Sequence, residues 1–368
     1  MIKNALFFVW VIAFWSWSSF AWPYAYSWKH LASFGPLTEF NLFLTGDFSY
    51  RNSDVEGRVA VKGNVDLKSF SIGLKAPSSP YSLIVGGNAT LGGPGNREGG
   101  QINNGGLWVG GEASLQRVGL PQGDIVAKGN LTLRDLTVEN GNVITEGNVT
   151  IERVTVEGDL MARGDVESNN SSVHGNTTSS VPEIEPPLNF DEIDLQALAN
   201  EIIQDGNDIG RDSSGKIYIN LDNCTDLVCY LDISEFDFEE AWGVWIESST
   251  PKTAIIRVIP DNETDPLNIA YKDFKLSGNI SNLNVLYLFD FFQEIEMHHI
   301  GLQGSILAPQ ADISFYEGVM YGTLMGANLS HPENTNGGQI NIPVPEPFSL
   351  LTLLFFGSLF YLYRKGCC

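Results

Sequence analysis

The sequence has few charged residues, and among these it has few basic ones. Charged residues make up 18% of the 368 residues, below the ~25% typical of globular domains. The 21 lysines and arginines are outnumbered by 44 aspartates and glutamates, so the formal net charge is -23. This imbalance argues against nucleic acid or an anionic membrane surface as a partner. Hydrophobic residues still amount to 43%, so the chain can bury a core and its composition does not indicate disorder.

The sequence also lacks the motifs of common catalytic sites. It contains no G-x-S-x-G, H-E-x-x-H or P-loop pattern, and no pair of acidic residues stands out by its spacing. His298 and His299 are adjacent; in a strand their side chains would point to opposite faces, which disfavours joint metal binding. We therefore predict a protein that is not an enzyme, and we keep a polysaccharide-degrading β-helix enzyme as an alternative.

The N-terminus has the pattern of a secretory signal peptide. Lys3 is followed by an apolar segment over residues 5–15 and by a small-x-small cleavage pattern that ends at Ala21. The apolar segment is too short for an ordinary membrane span, which requires ~20 residues. Residues 1–21 are therefore predicted to be removed during export.

The C-terminus has the pattern of a second sorting signal. Its parts, in order, are Val344-Pro345-Glu346-Pro347, a charge-free apolar segment over residues 348–363, and Arg364-Lys365. By the positive-inside rule, the basic pair would hold this short transmembrane segment from the cytoplasmic side. The order closely resembles the PEP-CTERM sorting signal of Gram-negative bacteria. The resemblance implies an exosortase-type processing enzyme as a partner and transient anchoring in the inner membrane.

Cysteine usage agrees with export. Of the four cysteines, only Cys224 and Cys229 lie between the two predicted sorting signals. An oxidising compartment favours a small local disulfide between them. A metal site would need more ligands, and no histidine lies nearby. Cys367 and Cys368 end the chain, where they would be either lipidated or lost with the sorting signal.

A repeat of 18 to 24 residues dominates the first half of the chain. It is marked by Gly63, Gly87, Gly111, Gly129 and Gly147. Two and four positions after each glycine stands an apolar residue, with a polar residue between, which is typical of a strand with one buried face. Asn follows four of these glycines; such Gly-Asn turns suit a left-handed backbone, and we expect the asparagines to make turn hydrogen bonds.

This repeat predicts a right-handed parallel β-helix, in an all-β-dominated fold. The unit is too short for a propeller blade and lacks the helical pattern of ankyrin or TPR repeats. As one coil of a solenoid, it would stack on the next coil ~4.8 Å away, and its apolar columns would form a continuous interior. An antiparallel β-sandwich with accidental spacing is the alternative.

The pattern changes after Val166. Residues 168–180 are rich in Asn, Ser and Thr and predict a loop, and residues 192–204 predict one long α-helix that packs beside the solenoid. The predicted organisation is a signal peptide (residues 1–21), N-terminal coils (22–188), a helix-containing segment with the local disulfide (189–260), closing coils (261–342) and the PEP-CTERM signal (343–368).

Two stretches resemble the choice-of-anchor A family of bacterial surface proteins. The first begins at Phe40-Asn41-Leu42-Phe43-Leu44 and continues to Gly63-Asn64, and the second begins at Gly304-Ser305-Ile306-Leu307-Ala308-Pro309 and closes at Gly338-Gln339-Ile340-Asn341. The resemblance implies an adhesive domain of β-helix type over residues 40–342, paired with an exchangeable anchor. The second stretch is also similar to the closing coils of ice-binding-type β-solenoids, where one helix packs along the solenoid.

The candidate ligand face is a column of polar residues three positions after the repeat glycines. Its members are Asp66, Thr90, Ser114, Thr132 and Thr150. The short hydroxyls of Thr90, Ser114, Thr132 and Thr150 could bind a repetitive surface such as polysaccharide or ice. The alternative is purely structural, because outward strand positions are polar in any case and Thr favours strands. An ice-binding face would need a longer and more uniform threonine row.

Two acidic loops are candidate calcium sites. The first contains Asp205, Asn207, Asp208 and Asp212, and the second contains Asp261, Asn262, Glu263 and Asp265. Oxygen ligands in such loops can hold calcium, but neither loop has the EF-hand spacing, and an ordinary exposed acidic loop is the alternative.

Together these patterns predict a secreted or surface-displayed adhesin of a Gram-negative bacterium. It would bind exopolysaccharide or another surface ligand, contribute to adhesion or biofilm structure, and contact the membrane only through its C-terminal tail before processing. A polysaccharide-degrading enzyme and an ice-binding β-solenoid remain the alternatives.

Overall fold

The computed structural model describes residues 27–32, 34–262 and 266–342. The predicted signal peptide, the motif Val344-Pro345-Glu346-Pro347 and the basic pair Arg364-Lys365 lie outside these ranges. Within them, no helix is both long enough and apolar enough to cross a membrane.

The described chain folds into a parallel β-solenoid, which confirms the predicted fold class. Twenty-nine strands form one continuous sheet, three more form a second sheet, and the strands pair in parallel. Each coil contributes up to three strand segments, so the strands stack in three columns. We call these columns the helix face, the hydroxyl face and the third face.

The strands of each face are as follows. The helix face consists of Phe40–Leu44, Arg58–Val61, Tyr81–Val85, Gly106–Val109, Ile125–Ala127, Val143–Thr145, Leu160–Ala162, Thr177–Thr178, Asn207–Asp208, Val228–Ser234, Thr253–Ile259, Val285–Leu288 and the first parts of Ser305–Tyr316 and Leu324–Ser330. The hydroxyl face consists of the later parts of Ser305–Tyr316 and Leu324–Ser330, the whole of Ala89–Gly92, Ala113–Gln116, Val166–Asn169, Leu267–Ala270 and Glu294–His298, and the first parts of Phe48–Val55, Val65–Ile72, Leu131–Val138 and Val149–Val156. The third face consists of the later parts of Phe48–Val55, Val65–Ile72, Leu131–Val138 and Val149–Val156, together with Gly100–Ile102, Val118–Gly119, Ser172–Val173, Ile217–Asn220, Gly243–Ser248, Asp273–Gly278, Gly301–Gln303, Val319–Tyr321 and Gln339–Asn341.

The order of the coils in the stack differs from their order in the chain. The strand Phe40–Leu44 pairs on one side with Arg58–Val61 and on the other with Leu324–Ser330. The coils of residues 40–178, the upper stack, therefore continue the coils of residues 207–341, the lower stack. The last coil of the chain meets the first coil in the middle of the solenoid.

The connecting segment runs along the helix face from the upper to the lower stack. Asp191 forms an ion pair with Lys62 of the upper stack at 2.9 Å, and Gln196 accepts a hydrogen bond from Gln310 of the lower stack at 2.7 Å. The segment contains the helix α1, Leu195–Ile202. Its apolar side, together with Phe190, packs on outward-facing residues such as Phe43 and Leu307 and forms a second core outside the solenoid.

The helix α1 is shorter than predicted. It begins where the Asp194 side chain accepts a hydrogen bond from the Ala197 amide, which caps the first turn, and it ends before Ile203, whose backbone is extended. A second short helix, α2, covers Glu235–Glu240. The remaining helical turns are of the 3-10 type, at Trp28–His30, Gly35–Glu39, Phe190–Glu192, Leu221–Asn223 and Asn282–Asn284.

The repeat glycines are required by close approach between coils, not by left-handed backbone. None of the five has a positive φ, which corrects the sequence interpretation. A Cβ on Gly129 would lie 2.8 Å from the carbonyl oxygen of Gly111 one coil below. The amide of Gly129 also donates to that oxygen at 2.8 Å. Nine of the ten left-handed non-glycine residues described lie instead at the corner between the hydroxyl face and the third face: Asn52, Ser69, Arg117, Asp135, Arg153, Asn170, Tyr271, His299 and Glu317.

The upper stack ends in a polar coil. Residues 168–180, predicted as a loop, contribute to the short strands Val166–Asn169, Ser172–Val173 and Thr177–Thr178. Every residue of Val166–Asn169 is exposed. The apolar pattern is missing here because no further coil stacks on this one within the described chain. The strands are also short, which limits edge-to-edge association.

Candidate binding face

The predicted hydroxyl residues form one column on the hydroxyl face of the upper stack. Thr90 is paired with Ser114, Ser114 with Thr132, and Thr132 with Thr150. Paired strands lie about 4.8 Å apart, so the column presents one short hydroxyl per coil at that interval. Thr90 and Ser114 are exposed, and Thr132 and Thr150 are half-buried. We call these four residues the hydroxyl column.

Acidic residues bound this column at both ends. Asp66 is paired with Thr90 on one side, and Thr150 is paired with Glu167 on the other. The alternation that exposes these side chains buries their neighbours, since Leu91 and Leu133 lie inside the solenoid. The apolar interior thus fixes which side of each strand faces outward.

A second set of polar side chains runs beside the hydroxyl column. Arg134, Asp135, Glu152 and Arg153 form ion pairs across successive coils, and we call them the charge ladder. Arg153 bonds Asp135 at 2.5 Å, and Arg134 Nε lies 3.3 Å from Glu152 Oε2. The hydrogen bond from Arg153 lowers the pKa of Asp135. Because Asp135 and Arg153 occupy the left-handed corner, their pairing was not predictable from strand alternation.

The spacing of these columns is held by asparagines at the turn before the hydroxyl face. The side-chain oxygen of Asn64 accepts from the Asn88 amide, and that of Asn130 accepts from the Asn148 amide, each at 3.0 Å. The Asn88 side chain binds the Glu112 amide at 2.8 Å in the same way. The predicted turn hydrogen bonds are therefore present, and they connect each coil to the next.

The first predicted calcium loop lies at the start of the lower stack, and its metal binding stays a prediction. Asn207–Asp208 is a short strand that pairs with Leu231 and Asp232. Asp212 accepts hydrogen bonds from the Ser214 hydroxyl and amide, which lower its pKa. In the described ranges, no group of three or more His, Cys, Asp or Glu is placed to hold a metal ion; this set of residue types does not include Asn207, whose amide oxygen is also a calcium-ligand type. Part of the second loop, residues 263–265, lies outside those ranges.

The two cysteines lie at the far end of the lower stack. Cys224 and Cys229 are joined as a disulfide, with their Cα atoms 6.0 Å apart. The buried Lys252 ammonium donates to the Leu221 carbonyl at 2.7 Å and also to the Cys224 carbonyl. The disulfide and the lysine together hold the loop that begins this coil.

A cluster of rings on the lower stack was missed by sequence reasoning. His298 stacks on Tyr316 with ring centres 4.9 Å apart, and His299 stacks on Tyr271 at 4.7 Å. The two Nδ1 atoms of the histidines lie 2.9 Å apart, so the expectation of opposite faces is wrong. His299 has a φ of 52°, and this left-handed corner turns its ring toward His298. The 18-residue interval between His298 and Tyr316 was the available signal. We call these four residues the ring cluster.

One family model matches most of the chain. The chain matches the model of a family described as "Putative Ice-binding-like adhesive domain" over residues 33–124 and 121–342. A crystal structure of an ice binding protein from an Antarctic bacterium of the Flavobacteriaceae aligns with 86% of this chain and 99% of its own, at 10% identity and a TM-score of 0.22. No curated protein matches the sequence.

Proposed function

The chain belongs to the family of ice-binding-like adhesive domains, and from this premise we propose that it is an extracellular, non-enzymatic adhesin that binds polysaccharide through its hydroxyl face. The observation that carries the proposal is the register of the hydroxyl column, which places one hydroxyl on each of four successive coils. An extended polysaccharide is also a linear repeat, so its successive sugar units can meet hydroxyls that recur once per coil, at intervals of about 4.8 Å.

The face is rigid before any ligand arrives. The turn asparagines bond each coil to the next, and the apolar interior beneath Thr132 and Thr150 is fully buried. A preorganised surface loses little conformational entropy on binding, so weak contacts repeated along several coils can add up.

The charge ladder favours polysaccharide over ice as the ligand. Sugar hydroxyls both donate and accept hydrogen bonds, and bonds to ionised partners such as Arg134 and Glu152 are the stronger ones. An ice surface presents only neutral water in a fixed lattice. The hydroxyl column has four members and is bounded by Asp66 and Glu167, which is a short and mixed row for lattice matching.

The sorting signals complete the proposal. Export through the predicted signal peptide, followed by exosortase-type processing after Val344-Pro345-Glu346-Pro347, would deliver the adhesin to the surface of a Gram-negative bacterium. Mass spectrometry of protein recovered from cells should find an N-terminus near Trp22 and loss of the basic pair Arg364-Lys365. Full-length protein in the inner membrane would contradict the processing step.

The binding proposal is tested by removing hydroxyls without changing shape. Exopolysaccharide binding is compared between the processed protein and the double variant Thr132→Val/Thr150→Val. Loss of two hydrogen bonds of about 1 kcal/mol each should weaken binding by roughly tenfold or more. The matched control is Thr137→Val/Thr155→Val, a pair in the same two coils but on the third face.

The control variant should bind as the natural protein does, and both variants should keep its melting temperature. Equal loss in the two double variants, or no loss in either, would overturn the assignment of the hydroxyl face. Thermal hysteresis in the natural protein, abolished by the first variant alone, would replace polysaccharide with ice as the ligand.

A further inference from the structure

The ring cluster presents an open aromatic face on the lower stack. Tyr271 is 70% exposed, the most exposed of the large hydrophobic residues described. One face of its ring is stacked on His299, with an interplanar angle of 18°, so the opposite face is directed to solvent. His298 meets the Tyr271 ring edge-on at 5.3 Å and continues the ring surface toward Tyr316.

The backbone beneath this cluster is unfavourable for its side chains. Tyr271 has a φ of 54° and His299 a φ of 52°. Left-handed backbone is rare for bulky residues and is tolerated best by Gly, Asn and Asp. The matching corner of the upper stack holds Asn52, Ser69 and Asp135, and also Arg117 and Arg153, whose guanidinium groups pair with Asp135. Burial of the ring does not explain Tyr271, because this side chain lies mostly in solvent.

Carboxylates border the rings. The Tyr316 hydroxyl donates to Glu296 Oε1 at 2.6 Å, and this bond raises the pKa of Tyr316 to about 12. Glu317 Oε2 lies 3.0 Å from His299 Nε2. Aromatic faces next to a few fixed polar groups are the usual make-up of a small-molecule site. A pyranose ring suits this pairing, because its C–H face packs on an aromatic ring while its hydroxyls reach the edge.

From this geometry we propose that the ring cluster is a second binding site, which takes one neutral pyranose unit stacked on the open face of Tyr271. Glu296 and Glu317 accept hydrogen bonds from the sugar hydroxyls, and the same carboxylates, in a chain of net charge -23, disfavour acidic sugars. The inference shares its ligand class with the proposed function, but it uses the lower stack and none of the residues of the hydroxyl column.

The test follows the histidine ring resonances of the processed protein by NMR. Neutral tetrasaccharides of glucose, mannose or galactose are titrated in turn, and at least one should shift the signals of His298 and His299. The variant Tyr271→Asn removes the aromatic ring and places a residue suited to left-handed backbone at the corner. We expect its affinity to fall by about tenfold or more, while its melting temperature stays equal or rises.

The control is Tyr218→Ala, which removes another exposed tyrosine of the lower stack, on the third face. It should bind the same tetrasaccharide as the natural protein does. The proposal is overturned if no tetrasaccharide shifts the histidine signals, or if Tyr271→Asn binds as tightly as the natural protein. Loss of exopolysaccharide binding in Thr132→Val/Thr150→Val with tetrasaccharide binding retained supports both sites. If Thr132→Val/Thr150→Val keeps exopolysaccharide binding while Tyr271→Asn loses tetrasaccharide binding, the hydroxyl face is rejected and the ring cluster stands.

Discussion

The upper and lower stacks use the same corner of the solenoid in different ways. Between the hydroxyl face and the third face, coils of both stacks turn through a single left-handed residue at nine described positions. In the upper stack this position holds Asp135 and Arg153, which pair at 2.5 Å across neighbouring coils. In the lower stack it holds Tyr271 and His299, whose rings stack. The backbone therefore fixes where the side chains project, and their chemistry is free to differ.

The two stacks also differ in regularity. The last coils of the upper stack repeat every 17 or 18 residues, as in the pairing of Thr132 with Thr150 and of Thr150 with Glu167. In the lower stack, paired residues on the helix face are separated by 25, 31 and 19 residues, as in Cys229 to Ala254, Ala254 to Val285 and Leu286 to Ser305. The longer coils accommodate the helix α2 and other insertions. A regular stack is stabilised by the same contacts in each coil, whereas an irregular stack depends on contacts that differ from coil to coil.

The largest loss of unfolding free energy is expected from a substitution at the junction where the two stacks meet. Asn41 is buried in the first coil; its side chain donates to the Gly322 carbonyl of the lower stack and accepts from the Gly57 amide of the upper stack at 3.1 Å. Asn41→Ala leaves both backbone groups buried and unpaired, which should cost roughly 3 kcal/mol of unfolding free energy. Denaturant unfolding measures this loss.

The control for this junction is Asn130→Ala, in the exposed turn of the upper stack. Water can replace the lost bond to the Asn148 amide, so the cost should be below about 1 kcal/mol. Similar losses in the two variants would mean that the junction is no more critical than any turn, and that the two stacks are one uniform solenoid.

A smaller loss of stability, caused by adding a Cβ atom to a repeat glycine, tests why only the upper stack shows a strict glycine repeat. A Cβ at Gly129 would lie 2.8 Å from the neighbouring coil, whereas a Cβ at Gly301 of the lower stack would meet nothing within 4 Å. Gly129→Ala should therefore destabilise by about 1 to 3 kcal/mol through overpacking. Gly301→Ala should be neutral or stabilising by about 0.4 to 1 kcal/mol. Comparable melting temperatures for the two variants would refute close approach as the cause of the repeat.

The difference in regularity between the two stacks explains what the sequence could predict. Apolar alternation at 18- and 24-residue intervals sufficed for the upper coils and for the outward direction of Thr132 and its column. The junction between Phe40–Leu44 and Leu324–Ser330 could not be predicted, because strand pairing at that distance leaves no local pattern. The charge ladder and the ring cluster were missed because they depend on a left-handed corner, and residues such as Arg153 or Tyr271 carry no turn signal.

The smallest expected change in unfolding free energy is the one caused by acid at the junction between the two stacks. His331, in the loop after the last lower-stack strand of the hydroxyl face, accepts a hydrogen bond at Nε2 from the Arg51 amide of the upper stack at 3.0 Å. Burial lowers the pKa of His331, so the unfolded chain takes up this proton more readily than the folded one. The stabilising contribution is present above the unfolded pKa of about 6.5 and is lost as pH falls through the folded value.

Unfolding free energies measured between pH 7 and pH 5 should therefore fall more steeply in the natural protein than in His331→Gln. Glutamine can still accept the Arg51 amide bond with its side-chain oxygen, but it does not take up a proton in this range. The control His30→Gln changes an exposed histidine of the 3-10 turn Trp28–His30 and should keep the natural slope. If His331→Gln keeps that slope too, the junction has no proton-linked contact. If His331→Gln flattens the slope, protonation of the His331 imidazole weakens the contact between the two stacks in acid, and the repeats on either side are less sensitive.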